Sequence, residues 1–164
     1  MKTVKIFFVL LLCLTFFSCS QKSWTDDSWK EEVTRGVEQM AIQFFKESDT
    51  KNADAVVNYL DDSPEFSWLF PPETSLVSRE DLVASLKAEM NSENRVVSEW
   101  DQMNVVPLSP ELAFYQGSFH QDITNSNGEL NRFFGIELAV IVLREDGWKF
   151  HSGQTYYEPV PSEE

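Results

Sequence analysis

The chain has 164 residues, which is room for one domain able to bury a core without disulfides or metals. Its formal net charge of −14 disfavours nucleic acid as a partner, because phosphate binding needs clustered Lys and Arg. Both cysteines, Cys13 and Cys19, lie near the start of the chain. The remaining sequence therefore has no thiol for a disulfide or a thiolate metal site, and we expect no cofactor.

Residues 1–18 have the pattern of a secretory signal peptide. Lys2 and Lys5 provide a positive start, and an apolar run follows at residues 6–17. That run is too short to span a bilayer as a helix, which takes about 20 residues. The pattern predicts export.

The tetrapeptide FFSC at residues 16–19 resembles the lipobox of bacterial lipoproteins, in which a small residue such as Ser18 precedes the cysteine. The resemblance implies diacylglyceryl transfer to Cys19, acyl chains such as palmitate, cleavage before Cys19, and a tether over residues 19–27. Several acyl chains would anchor the protein stably in the cell envelope, where we expect the outer membrane. The alternative is ordinary signal-peptide cleavage after Ser20.

Three helices are predicted after the tether. The second follows Asn52, a suitable N-cap, and the third begins at Ser78, with Asp81 completing a variant capping box. A short strand at residues 65–70 separates them. The first helix, at residues 28–47, has an apolar stripe at three- and four-residue spacing, formed by Trp29, Val33, Val37, Met40, Ala41 and Phe44.

The second half of the chain has the two-residue period of strands. The dipeptides Asn127-Gly128 and Asp146-Gly147 predict two-residue hairpin turns, since both positions of a type I′ turn need positive φ. Helices followed by an antiparallel meander predict an α+β domain at residues 28–158, with a flexible acidic tail at residues 159–164. The predicted strands are residues 95–106, 112–124, 130–143 and 148–157.

The order of these elements resembles the nuclear transport factor 2-like fold, also described as SnoaL-like or ketosteroid isomerase-like, over about residues 30–157. Local similarities are NYLDD at residues 58–62 and DGWKF at residues 146–150. The resemblance implies three N-terminal helices packed on a curved antiparallel meander sheet that encloses a conical cavity. Ser152 and Gln154 stand where enzyme-like relatives often have histidines, which disfavours a catalytic role.

The two predicted turns determine which residues lie opposite Glu137. They place Glu137 between Ser118 and Tyr156, and Gly135 opposite His120. We assign this mixed polar and apolar face to the cavity, and His151 to the opposite face, so that the two histidines cannot share a zinc site. The predicted ligand-binding residues on this face are Gln116, Ser118, His120, Glu137, Gln154 and Tyr156, with Tyr59, Trp68 and Trp100 at the cavity mouth.

Three functions remain open, two for this face and one for the opposite face. The polar groups could orient a small apolar or amphipathic ligand, or they could simply satisfy one another in the core. A cofactor-independent isomerase, dehydratase or cyclase would use Glu137 or His120 as general base and Tyr156 as hydrogen-bond donor. The opposite, apolar face predicts an interaction module, most simply a homodimer through the sheet. The sequence favours binding or interaction over catalysis.

Overall fold

The computed structural model describes residues 27–161. The predicted signal peptide, Cys19, most of the tether and the last three residues of the acidic tail lie outside the described residues. The predicted α+β fold is confirmed, with three helices packed against a curved five-stranded sheet. In chain order the elements are α1 Ser28–Asp49, α2 Ala53–Val57, β1 Ser67–Leu69, α3 Arg79–Met90, β2 Arg95–Ser109, β3 Leu112–Thr124, β4 Leu130–Arg144 and β5 Gly147–Pro159.

The predicted caps position α2 and α3. The Ser78 hydroxyl oxygen accepts from the backbone N–H of Asp81 at 3.2 Å and donates to the Asp81 carboxylate at 2.7 Å. Asn52 Oδ1 accepts from the backbone N–H of Ala55 at 3.4 Å. Within residues 27–161, no helix is long and apolar enough to cross a membrane.

The sheet has the order β1-β5-β4-β3-β2, in which only β1 runs parallel to its neighbour. Irregularities in β2 at Asp101 and Leu108 interrupt its regular pairing with β3, as β-bulges do. Phe45 of α1 stacks on Trp100 of β2 with ring centroids 4.2 Å apart. Trp100 Nε1 also donates to the carbonyl of Ala41 at 3.3 Å, so the sheet wraps around this helix.

The predicted register between β3 and β4 is wrong by one residue. The loop has three residues rather than two, because Asn125 pairs with Glu129 through its backbone N–H at 3.0 Å. The Asn125 side chain accepts from the backbone N–H groups of Asn127 and Glu129 at 3.0 Å each, and Gly128 adopts φ 82°. This is the three-residue hairpin loop, a type I turn followed by a left-handed glycine.

The predicted register between β4 and β5 is also wrong by one residue at Glu137. The turn residues are Glu145 and Asp146, and Gly147 already pairs with Arg144. A bulge at His151 then shifts the pairing back by one position. The turn displaces the predicted pairing by two residues and the bulge moves it back by one. A net shift of one residue therefore remains at Glu137.

These shifts exchange the predicted neighbours of Glu137. Glu137 lies between Gly117 and Thr155, instead of between Ser118 and Tyr156. Because side chains alternate across a strand, a one-residue slip moves every predicted partner to the other face. The inner face, which packs against the helices, holds Tyr115, Phe119, Gly135, Glu137, Ala139, Ile141, Gly153 and Thr155.

Candidate functional site

A partly open cavity of about 90 Å³ lies between the helices and the inner face of the sheet. Its wall is mainly aromatic and aliphatic, as small-molecule sites usually are. The apolar lining residues are Phe44, Phe45, Leu60, Trp68, Phe70, Leu82, Leu86, Met90, Val96 and Phe150. The polar lining residues are Ser48, Lys51, Glu89, Ser98, Gln121, Glu137, Thr155 and Tyr157.

Glu137 is the buried carboxyl of this cavity, with 5% of its surface exposed. Its Oε2 accepts from the Thr155 hydroxyl at 2.9 Å, and that hydroxyl oxygen accepts from Trp68 Nε1 at 2.9 Å. Its Oε1 has no hydrogen-bond partner among the described residues. Buried polar atoms rarely lack a partner, so this oxygen is the notable atom of the cavity.

The path of β1 explains how Trp68 reaches Thr155. Trp68 lies beside Gly153 in the parallel pair of β1 and β5. A Cβ at position 153 would lie 2.8 Å from the Trp68 ring, so only glycine lets the indole lie flat across β5. The indole N–H then points to the next inward-facing residue of β5, which is Thr155.

Burial dominates the electrostatics of the cavity. It raises the pKa of Glu137 to about 7, although the hydrogen bond from Thr155 opposes the shift. Burial also raises the pKa of Tyr157, and the nearby carboxyls of Glu137 and Glu89 add to that effect. Partial burial raises the pKa of Glu89, although that residue is exposed as a whole at the cavity rim. Burial therefore favours the neutral forms of Glu137, Glu89 and Tyr157.

A second set of polar groups includes Ser98 and Gln121 of the cavity lining and Asp49 behind them. Asp49 accepts from the backbone N–H and the hydroxyl of Ser98 at 3.2 and 3.1 Å. The Ser98 hydroxyl oxygen in turn accepts from Gln121 Nε2 at 3.1 Å. These hydrogen bonds satisfy Ser98 and tie α1 to β2, which makes this set structural rather than available to a ligand.

Two of the nine predicted ligand-binding residues, Trp68 and Glu137, line the cavity. Trp100 instead packs under α1 against Phe45. Tyr59 contacts Phe44 edge-on with ring centroids 6.1 Å apart, outside the cavity lining. The prediction that Tyr59 and Trp100 form the mouth is therefore wrong.

The other five predicted residues lie on the outer face of the sheet, because of the register shifts. His120 is there hydrogen-bonded through Nδ1 to Asp101 at 2.9 Å, with Glu99 3.4 Å from Nε2. It is remote from Glu137, so its predicted role as general base in the cavity is wrong, as is that of Tyr156 as donor. The misplaced residues are Gln116, Ser118, His120, Gln154 and Tyr156.

Sequence reasoning missed Thr155, Tyr157 and Glu89 as cavity residues. The sequence did carry one usable signal, since Asn125 precedes the Ser-Asn-Gly loop and an Asn side chain there stabilises a three-residue turn. The bulge at His151 has no comparable local signal.

A charged cluster missed by the sequence analysis surrounds Asp61, which is 1% exposed. Arg144 Nε and Nη2 donate to the two Asp61 carboxylate oxygens at 2.7 Å each, and His151 Nδ1 donates to Oδ2 at 2.7 Å. His151 is thus a partner of a buried carboxylate rather than an ordinary sheet residue. Over residues 27–161, no group of three or more His, Cys, Asp or Glu is arranged to hold a metal ion.

No protein-family model matches the chain, and no curated protein matches it. Solved structures do match, beginning with a candidate scytalone dehydratase from Novosphingobium aromaticivorans, at a TM-score of 0.71 and 10% identity over 83% of this chain and 89% of that one. A candidate dehydratase of the NTF2-like family from Streptomyces avermitilis has a TM-score of 0.68 and 15% identity over 80% and 99%. A candidate calcium/calmodulin-dependent protein kinase II association domain from Xanthomonas campestris has a TM-score of 0.63 and 17% identity over 77% and 89%. The predicted nuclear transport factor 2-like fold is confirmed, and at these identities the likeness concerns the fold alone.

Proposed function

We propose that the domain binds a small, mainly apolar molecule in its cavity, with one polar group of that molecule held by Glu137. The observation that carries the proposal is the unpartnered Oε1 atom of Glu137 in an otherwise apolar cavity. A ligand hydrogen-bonded to Oε1 would supply the missing partner, and the apolar wall would bury the rest of the molecule.

Native mass spectrometry of the gently purified protein tests this proposal. We expect a co-purifying small molecule on the wild type and its loss in Glu137→Gln, which keeps the shape of the side chain but changes its charge. Asp122→Asn is the matched control, because Asp122 pairs with Arg132 outside the cavity lining. A wild type that remains empty, even with apolar probes added in excess, would count against ligand binding.

Proton transfer is a second candidate function for the same site. The observation that favours it is the pKa of Glu137, which burial raises to about 7, so that the carboxyl can take up or release a proton near neutral pH. Tyr157 would supply the hydroxyl that Tyr156 was predicted to supply. Two of the structures that share the fold are candidate dehydratases, and this supports the possibility only at the level of the fold.

Hydrogen–deuterium exchange at the α-carbon of a small enolisable ketone would detect such proton transfer by NMR. We expect exchange above the buffer rate in the wild type and none in Glu137→Gln. Equal exchange in the two proteins would exclude Glu137 as the base.

We also propose that a second copy of the chain covers the outer face of the sheet. That face exposes Ile136 to 41% and Tyr156 to 37%, in adjacent positions of β4 and β5. Apolar side chains in neighbouring positions favour a protein partner, and a structure with the same fold is a candidate association domain. Sedimentation analysis should show a dimer that dissociates in Ile136→Lys, and a monomeric wild type at high concentration would contradict this assembly.

The N-terminal segment supports a separate proposal, that Cys19 is lipidated and anchors the domain to the bacterial cell envelope. Support comes from the positive start, the short apolar run and the lipobox-like FFSC. Metabolic labelling with a palmitate analogue should mark the wild type and leave Cys19→Ser unmarked. Labelling that persists in Cys19→Ser would contradict the assignment.

A further inference from the structure

The hydrogen bonds around Glu137 have a fixed direction. The Trp68 indole N–H can only donate, so Thr155 Oγ1 must accept from it. The single hydroxyl hydrogen of Thr155 is then directed to Oε2 of Glu137. Oε2 therefore already accepts one hydrogen bond, whereas Oε1 accepts none and is the oxygen we assign to a ligand.

The charges that line the cavity are unevenly distributed. Glu137 lies in its buried part and Glu89 at its rim, so two carboxyls face the space. Among the described lining residues Lys51 is the only cation, and its ammonium group donates to the carbonyl of Ser92. An anionic ligand would thus meet two carboxyls, whereas a cationic ligand would meet complementary charge.

The aromatic wall favours the same kind of ligand. Six of the lining residues are aromatic, and the π-face of an aromatic ring attracts an ammonium group, more strongly once water is excluded. The aromatic lining residues are Phe44, Phe45, Trp68, Phe70, Phe150 and Tyr157.

We propose that the ligand of this cavity is a small hydrophobic amine, bound as its ammonium cation with an N–H donating to Glu137 Oε1. This inference rests on the proposed ligand-binding function and specifies the chemistry of the ligand. An engineered apolar cavity of about 150 Å³ holds benzene. The present cavity of about 90 Å³ is smaller and partly open, so even an amine the size of benzylamine would reach towards the rim at Glu89. A larger amine would extend past Glu89 into solvent.

Three probes of one shape and different charge test the proposal. Benzylamine, benzyl alcohol and benzoate are titrated into the wild type at pH 8, with calorimetry and tryptophan fluorescence, to which Trp68 in the cavity wall contributes, as readouts. We expect benzylamine to bind at least about tenfold tighter than benzyl alcohol, because a charge-assisted hydrogen bond is worth roughly twice a neutral one. Benzoate should bind weakest.

Two variants show which carboxyl causes the preference for benzylamine over benzyl alcohol. In Glu137→Gln the amine should lose its advantage while benzyl alcohol still binds, which also shows that the cavity is intact. In Glu89→Gln, at the exposed rim, the amine should keep most of its advantage. An alcohol that binds the wild type as tightly as the amine, or an amine preference that survives Glu137→Gln, would overturn the inference and leave ligand binding standing. If none of the three probes binds the folded wild type, both the inference and the ligand-binding function fail.

Discussion

Asp61 and Glu137 are both buried carboxyls, but their surroundings shift their pKa values in opposite directions. Asp61 receives two hydrogen bonds from Arg144 and one from His151, all at 2.7 Å. Hydrogen bonding from Arg144 lowers its pKa to about 2, against the opposing effect of burial. Glu137 receives one hydrogen bond, from Thr155, and burial raises its pKa to about 7.

The comparison shows that partners, rather than burial alone, decide what a buried carboxyl does. Asp61 has both oxygens satisfied and stays ionised, which suits a residue that ties α2 to the β4–β5 hairpin. Glu137 keeps one oxygen free and a proton within reach at neutral pH. Once ionised, a carboxyl in this state contributes little to stability, which agrees with the proposed role in binding or proton transfer.

The largest expected effect comes from breaking the satisfied site. In Asp61→Asn the partly exposed Arg144 guanidinium and His151 lose the charge of their buried partner, and the free energy of unfolding should fall by about 3 kcal/mol, less than for a pair buried on both sides. Urea denaturation followed by far-ultraviolet circular dichroism measures the loss. Asp122→Asn is the control, since Asp122 forms the same bidentate pair with an exposed Arg132 and should lose less than about 1 kcal/mol. Equal losses in the two variants would show that Asp61 is no more structural than a surface residue.

The stability contribution of Glu137 should depend on pH, and comparison with Glu137→Gln isolates that dependence. The pKa of Glu137 is raised from 4.5 to about 7 on folding, so its contribution to stability is present below pH 4.5 and is lost as pH rises through 7. Between pH 4 and pH 8 the wild type should therefore lose about 3 kcal/mol relative to Glu137→Gln, because a tenfold difference in proton affinity between the folded and unfolded states corresponds to roughly 1.4 kcal/mol. Urea denaturation of both proteins across this range measures the difference. A difference that stays constant with pH would contradict the raised pKa.

The sequence predicted the helices and strands better than it predicted the neighbours of Glu137. Periodicity and caps such as Ser78 identified the helices and the meander, because those signals are local. The neighbours of Glu137 depended instead on the length of the Asn125–Glu129 loop and on the bulge at His151, which the dipeptide turn signals do not specify. A single residue of error in register exchanged Thr155 for Tyr156, so Glu137 was placed in the cavity but among the wrong partners.

The cluster around Asp61 escaped prediction for a different reason. Asp61 follows α2, Arg144 ends β4 and His151 lies within β5, and no sequence spacing links them. Only the fold brings them together, through the bulge that turns His151 towards Asp61. Contacts between distant segments of this kind need the three-dimensional structure, whereas the elements themselves do not.

The smallest expected effect tests the one hydrogen bond that distinguishes the two oxygens of Glu137. Thr155→Val keeps the shape of the side chain but leaves Trp68 Nε1 without its acceptor and Oε2 without its donor. The free energy of unfolding should fall by about 2 kcal/mol, and the pKa of Glu137 should rise further, because the lost hydrogen bond lowered it. Urea denaturation and carboxyl carbon-13 NMR titration measure the two effects. Trp68→Phe is the control, since it removes the indole donor and keeps the Thr155–Glu137 hydrogen bond, so the pKa should move less. If Thr155→Val left the pKa unchanged, Thr155 would not be the donor, and Oε1 and Oε2 would be equally open to a ligand.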